Sequence, residues 1–381
     1  GMLRFKAKVP SMGYTLCHVR EGGNFVENRL TVKKQKLEND SLCVSLDKRA
    51  RIVSIRDKVA DREILPKRKT GNMFVLFEDK PAHWDAWDID VFYKEKPLES
   101  DGALISVEPI ENGPVRAVLR VKREISHSTV SQDIILYAGS RQLDFETTVH
   151  WGDEKDVLLK TAFPVEIRSD KARYEVQYGN LERPTHSNTV FDLAQFEVAA
   201  QRWADLSEAD YGVALLNDCK YGHDIHDGVM SLSLLRSPKN PDTQADVNKT
   251  HRFTYSIYPH QGDYTNGVLQ AGHGLNSPLQ ALHVLSSRGK KPPRDSWFEV
   301  TGNNVVIDAV KKAEDDNAVI VRLYEAHGCR GRRVLRTSLP FRKVQEVDLM
   351  EHPEKKVSFR DGKISFNLKP FQIRTFKFSR Q

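Results

Sequence analysis

The residues most able to do chemistry cluster in residues 71–93, GNMFVLFEDKPAHWDAWDIDVFY, the densest mixture of aromatics and carboxylates in the chain. Read as an extended run, Trp87 onward alternates. Trp84, Ala86, Asp88 and Asp90 then share one face, while Asp85, Trp87, Ile89 and Val91 share the other. A flat indole beside carboxylates suits a sugar, which offers an apolar C–H face and a rim of hydroxyls. The same residues also suit a buried tryptophan pair whose acids bond loop backbone. Asp88 and Asp90 invite comparison with the paired acids of glycoside hydrolysis, but side chains on one strand face would not flank a bond from opposite sides. His223 and His226, in GHDIHDG, are spaced like metal ligands, yet the flanking glycines read as a polar surface loop, and no other cluster supplies further ligands. Arg236 ends an apolar run just before Pro238, so it is either an ion-pair partner or a ligand for hydroxyls and carboxylates. Tyr174 reads as a core ring with a polar tip. GxSxG, Walker A, GxGxxG after a strand, and HExxH do not occur.

The elements that must position these residues are strands. Residues 73–77, 104–110, 115–125, 130–137, 143–151, 158–164, 174–178, 212–217 and 229–235 are short apolar or alternating runs separated by turn residues. In the clearest, Val115, Ala117, Leu119 and Val121 oppose Arg116, Arg120 and Lys122, the signature of a half-buried antiparallel strand. Residues 194–206 fit either a helix or a strand, and the β context on both sides favours strand. The segment SSRGKKPPRDS at 286–296 reads as a solvated linker. Short runs beyond it suit a small β-sandwich, with Asp361-Gly362 as a hairpin turn. The expected organisation is therefore all-β: an opening strand and linker over 1–38, a large β-region over 39–285, the linker, and a C-terminal β-sandwich over 297–381.

Composition narrows the function classes. Across 381 residues the net charge is +6, and the arginine-rich run 330–343 reads as a strand pair facing water, so a nucleic-acid partner is not expected. Mean hydropathy is −0.53, and no apolar run is long enough to span a bilayer, so no membrane partner is expected either. Four scattered cysteines without CxxC spacing suit reduced thiols in a cytoplasmic setting.

Taken together, several stretches carry a resemblance. Residues 71–93 are joined by YEVQYGNLERPTH at 174–186, the 196–207 stretch, GVALLNDCKYG at 212–222, LSLLRSPK at 232–239, HRFTY at 251–255 with Pro259-His260, and LYEAHG at 323–328. As a set they resemble the C-terminal β-region of glycoside hydrolase family 38, the retaining class II α-mannosidases, most of all the cytosolic subgroup that trims free oligosaccharides. The resemblance implies a galactose-mutarotase-like β-supersandwich followed by a β-sandwich. It also implies that the zinc ion, its HxHxD-type motif and the aspartate nucleophile belong to an N-terminal barrel that this chain lacks. No catalytic residue, metal or cofactor is then expected here. By position within the motifs, Arg236 and Tyr174 are the expected substrate-binding residues. The expected partners are a mannose-containing oligosaccharide, the catalytic barrel of the same enzyme, and further copies in a homo-oligomer. A stand-alone carbohydrate-binding or structural module is the alternative.

Overall fold

The computed structural model describes residues 3–20, 22, 30–239, 247–284 and 289–380. Residues 21, 23, 24 and 286–288, parts of the two expected linkers, lie outside them. The chain divides into two compact units. One comprises Gly1–Gly23, Gln177–Asn180 and Gln280–Gln381; the other comprises Asn24–Val176 and Leu181–Leu279.

The larger unit is built from three sheets around one apolar core. Nine strands run in the order Gly179–Pro184, Lys171–Val176, Trp203–Ser207, Tyr211–Asn217, Lys249–Gln261, Leu143–Trp151, Ser128–Tyr137, Arg116–Ile125 and Ala103–Asn112. Six more run in the order Val198–Ala199, Gly222–His226, Val229–Arg236, Val157–Pro164, Met73–Glu78 and Pro97–Ser100. A five-stranded sheet spans Thr31–Lys33 to Arg62–Glu63. The alternating runs produce this directly: Ala117, Leu119 and Val121 all turn into the core. Leu37, Val44 and Ile55 of the third sheet enter the same core. Residues 31–38 are thus sheet strands rather than linker, because Leu37 needs burial. Phe145 and Tyr255 of the nine-stranded sheet meet Phe163 of the six-stranded one at centroid distances of 5.5 and 6.2 Å, closing the space between the layers.

The nine-stranded sheet also carries a helix, Val268–Asn276, in a region whose sequence context is otherwise β. It seats Val268 against Trp203, Ala214 and Leu216. Gly272 is required there, since a Cβ would lie 2.9 Å from the Trp203 ring.

The smaller unit packs the sheet Phe298–Val300, Gly331–Thr337, Lys363–Leu368 against the sheet Val305–Lys312, Val319–Glu325, Ile373–Ser379, Lys343–Val347, Pro353–Lys356. Phe298, Val321, Leu335, Phe366, Phe376 and Phe378 fill the space between them. Arg294–Ser296, in the expected linker, instead pairs with Gly13–Thr15. Asp361 and Gly362 both have positive φ, 50° and 69°, as a type I′ hairpin turn requires. Gly362→Ala is expected to cost about 1–2 kcal/mol, because the left-handed conformation disfavours a side chain; the added Cβ would also lie 2.7 Å from the Thr337 carbonyl oxygen. A urea midpoint for this unit's transition that did not move would contradict this.

Candidate functional site

Arg236 closes the strand Val229–Arg236 opposite Leu158. The chain just beyond it is locked: the Ser237 amide donates to the Val157 carbonyl at 3.0 Å, and the Ser237 hydroxyl accepts the Trp151 indole N–H at 2.7 Å. From this fixed base the guanidinium reaches two groups. Its Nε donates to Asp79 Oδ2 at 2.7 Å and its Nη2 to the Asp88 carbonyl at 2.7 Å. Asp79 is only 3% exposed. Burial holds its carboxyl above the usual range, against the opposing pull of Arg236. Its other oxygen, Oδ1, is buried and has no hydrogen-bond partner among the described residues.

Residues 79–90 form a loop, not the strand that the alternation suggested. Trp84 sits at φ +51°, and its carbonyl accepts the amides of Trp87 and Asp88 at 2.7 and 2.9 Å. Asp90 accepts the Ala82 amide at 2.7 Å, and Asp85 accepts the amide of Lys239. Carboxylates that bond nearby backbone offer an alternative to the ladder, and here they prevail. The expected shared face of Asp88 and Asp90 therefore does not exist. The tryptophans are not interior either. Trp84 and Trp87 are 61% and 74% exposed and stack on each other at 5.7 Å, with 28° between ring planes.

The loop ends in a 3-10 turn, Val91–Glu95, whose Tyr93 is buried over the six-stranded sheet. The Tyr93 hydroxyl donates to Glu197 Oε2 at 3.0 Å and accepts from Lys160 Nζ at 3.0 Å. Lys160 also pairs with Glu197, whose other oxygen accepts from Ser233 Oγ at 2.6 Å. Burial, then the negative charge of Glu197, pushes the Tyr93 phenol far up, so it stays a neutral donor. Nothing in the sequence singled out Glu197. Lys160 did leave a signal: it is the only charge in VLLKTAFP, and a lysine inside a wholly apolar strand must find a partner.

The structure does not bring Tyr174 to Arg236's sheet. It lies on Lys171–Val176 of the nine-stranded sheet, 1% exposed, with its ring edge-on to His223 at 6.3 Å. Burial, then the charge of Asp224, raises its phenol strongly. The expectation that Tyr174 offers a hydroxyl to substrate is corrected for this chain: the ring is a packing residue. His223 and His226 are also reassigned. They lie on the strand Gly222–His226, not in a loop, and alternation sends them to opposite faces. His223 is fully buried, while His226 Nδ1 lies 2.5 Å from Asp224. Among the described residues no group of three histidines, cysteines or carboxylates is arranged to hold a metal ion, so these side chains do not fit a zinc site. No described helix is long and apolar enough to cross a membrane.

Residues 37–244, which contain every group above, match the glycosyl hydrolases family 38 C-terminal domain, and residues 304–376 match the C-terminal beta sandwich domain of the same family. The chain belongs to glycosyl hydrolase family 38. Human alpha-mannosidase 2C1 is 41% identical over 348 residues, covering 88% of this chain and 33% of that protein. Alpha-mannosidase G of Dictyostelium discoideum is 38% identical over 356 residues, covering 90% of this chain and 32% of its own length. The chain thus spans about a third of the length of the curated relatives it matches. An alpha-mannosidase from Enterococcus faecalis V583 superposes with a TM-score of 0.74 over 94% of this chain and 43% of that one; at 17% identity this shows a shared fold. The chain corresponds to the C-terminal part of a family 38 protein. Both the six-stranded sheet and the Arg236 loop fall inside the first matched domain.

Proposed function

We propose that this chain is the C-terminal β-region of an α-mannosidase that removes terminal α-mannose units from free oligosaccharides in the cytoplasm, and that it completes the sugar pocket rather than performing the chemistry. The observation that carries this reading is the ordered match of both β-domains to family 38, together with relatives named as alpha-mannosidases across about nine-tenths of the chain. The geometry around Arg236 agrees. Retaining hydrolysis needs two carboxyl groups about 5–5.5 Å apart, one as nucleophile and one as acid/base. Here Asp79 is tied to Arg236, Asp85 to the Lys239 amide and Asp90 to the Ala82 amide, so these acids serve as anchors. Arg236 is the group left to meet substrate, its planar fork suited to adjacent hydroxyls. The nucleophile, the acid/base and a zinc ion would come from the N-terminal barrel of the complete enzyme. The purified chain is expected to release no aryl alcohol from an aryl α-mannoside above the buffer rate, with or without added zinc. Turnover that disappears on substituting a carboxylate of this chain would overturn the reading.

A further inference from the structure

Trp84 and Trp87 are unlike Trp151 and Trp203, each of which is 1% exposed. Leaving two indoles in water forgoes a large burial gain, so a persistent display of this kind marks a binding surface. Their mutual stacking presents one aromatic face rather than two independent side chains. The display is also rigid. The loop is tied to Arg236 through the Asp88 carbonyl, to the Lys239 amide through Asp85, and to the sheet through Tyr93. A fixed platform lowers the ordering cost of binding.

The chemistry beside this face is polar in a specific way. The Asp88 carbonyl that holds Arg236 is one residue from Trp87, so the guanidinium borders the aromatic loop. That guanidinium is partly exposed, and its Nη1 makes no hydrogen bond among the described residues. Asp79, more than nine-tenths buried, fixes the guanidinium through Nε. The unbonded Nη1 is then a donor that a ligand hydroxyl can accept from. An apolar protein surface would cover the indoles but leave that donor unpaired. A pyranose supplies both the C–H face and the hydroxyls.

The geometry points to a hexopyranose subsite in which Trp84 and Trp87 form the stacking wall, and Arg236, held in place by Asp79, forms the hydroxyl-binding edge. It rests on the reading of Arg236 given above and adds the aromatic wall. The test titrates the 381-residue chain with methyl α-mannopyranoside and a linear α-mannotriose, read by saturation transfer to the sugar's own protons, so that removing a tryptophan does not remove the signal. Saturable binding of mannotriose is expected, weakened at least about fivefold in Trp84→Ala and in Trp87→Ala, and largely kept in Trp87→Phe. Unchanged melting temperatures show that the variants remain folded. Equal binding by parent and both alanine variants overturns the wall while leaving Arg236 in place. Loss in the tryptophan variants but not in Arg236→Ala keeps the wall and removes the Arg236 reading. No binding by the parent chain, or concentration-dependent dimers that Trp87→Ala abolishes, overturns the subsite without touching the family assignment.

Discussion

Replacing Lys160 by methionine is expected to lower the unfolding free energy of the larger unit by about 3–5 kcal/mol, the usual cost of stripping one partner from a buried ion pair. The Lys160 and Glu197 side chains are 3% and 8% exposed, so water cannot take the place of the missing ammonium. Glu197 would keep its bonds from Tyr93 and Ser233, but two neutral donors do not neutralise a carboxylate in a low-dielectric interior. The double variant Lys160→Met with Glu197→Leu is expected to recover much of the loss, because the desolvation cost disappears with the charges. It should not recover all of it, since Tyr93 and Ser233 then lose partners worth roughly 1–3 kcal/mol each if they stay unsatisfied. Urea unfolding followed by the fluorescence of buried tryptophan reads both variants. A single-variant loss below about 1 kcal/mol would mean that the pair is solvated in the folded protein and behaves as a surface bridge. The consequence extends to the aromatic loop. Tyr93 is one of the points at which residues 79–95 are fixed to the sheet, so Lys160→Met should also make that loop more open to proteolytic cleavage.

How far the sequence disclosed this architecture depends on how locally each feature is encoded. Val115 to Val121 alternates cleanly, and the Arg116–Ile125 strand buries the predicted face, because a period of two leaves only one way to hide the apolar set. Asp361-Gly362 reads as a turn between two alternating runs, whereas the same dipeptide at Asp227-Gly228 sits in a polar stretch that reads as a loop. Its φ values of 50° and 72° make it an equivalent hairpin turn, placing His223 on a core strand. The Val268–Asn276 helix was legible in Val268, Leu269 and Gly272, all on its buried side, but the surrounding β context hid it. Residues 84–90 failed for a different reason. Their alternation is real in the sequence, but no neighbouring strand supplies a ladder, and the acids bond to the loop itself. At the site, Arg236 was visible because it breaks an apolar run at a strand end. Asp79 and Glu197 were not, since their partners lie 157 and 37 residues away in the chain.

Acid is expected to destabilise the larger unit through His223. The ring is fully buried; its Nδ1 has no hydrogen-bond partner among the described residues, and Nε2 lies 3.4 Å from Asn217 Nδ2. Burial, and then the positive charge of Lys160, depress its pKa from 6.5 to about 3. Above pH 6.5 the ring is neutral whether the protein is folded or not, and the stability it allows is fully present. Below that value the unfolded chain takes up a proton that the folded protein refuses, so stability falls by about 1.4 kcal/mol per pH unit until the folded pKa is reached. His273, lowered to about 4 by burial and then by Arg202, adds a loss of the same sign over a narrower window. Asp79 acts oppositely, because its raised pKa makes the folded state bind a proton first. That contribution is common to the parent and to a His223 variant, so the difference between the two from pH 6.5 to 5 isolates the histidine. Urea midpoints measured across that interval should fall for the parent chain and fall more shallowly for His223→Gln, which cannot charge. Parallel slopes for the two proteins would show that His223 already reaches solvent, or a proton acceptor, in the folded state.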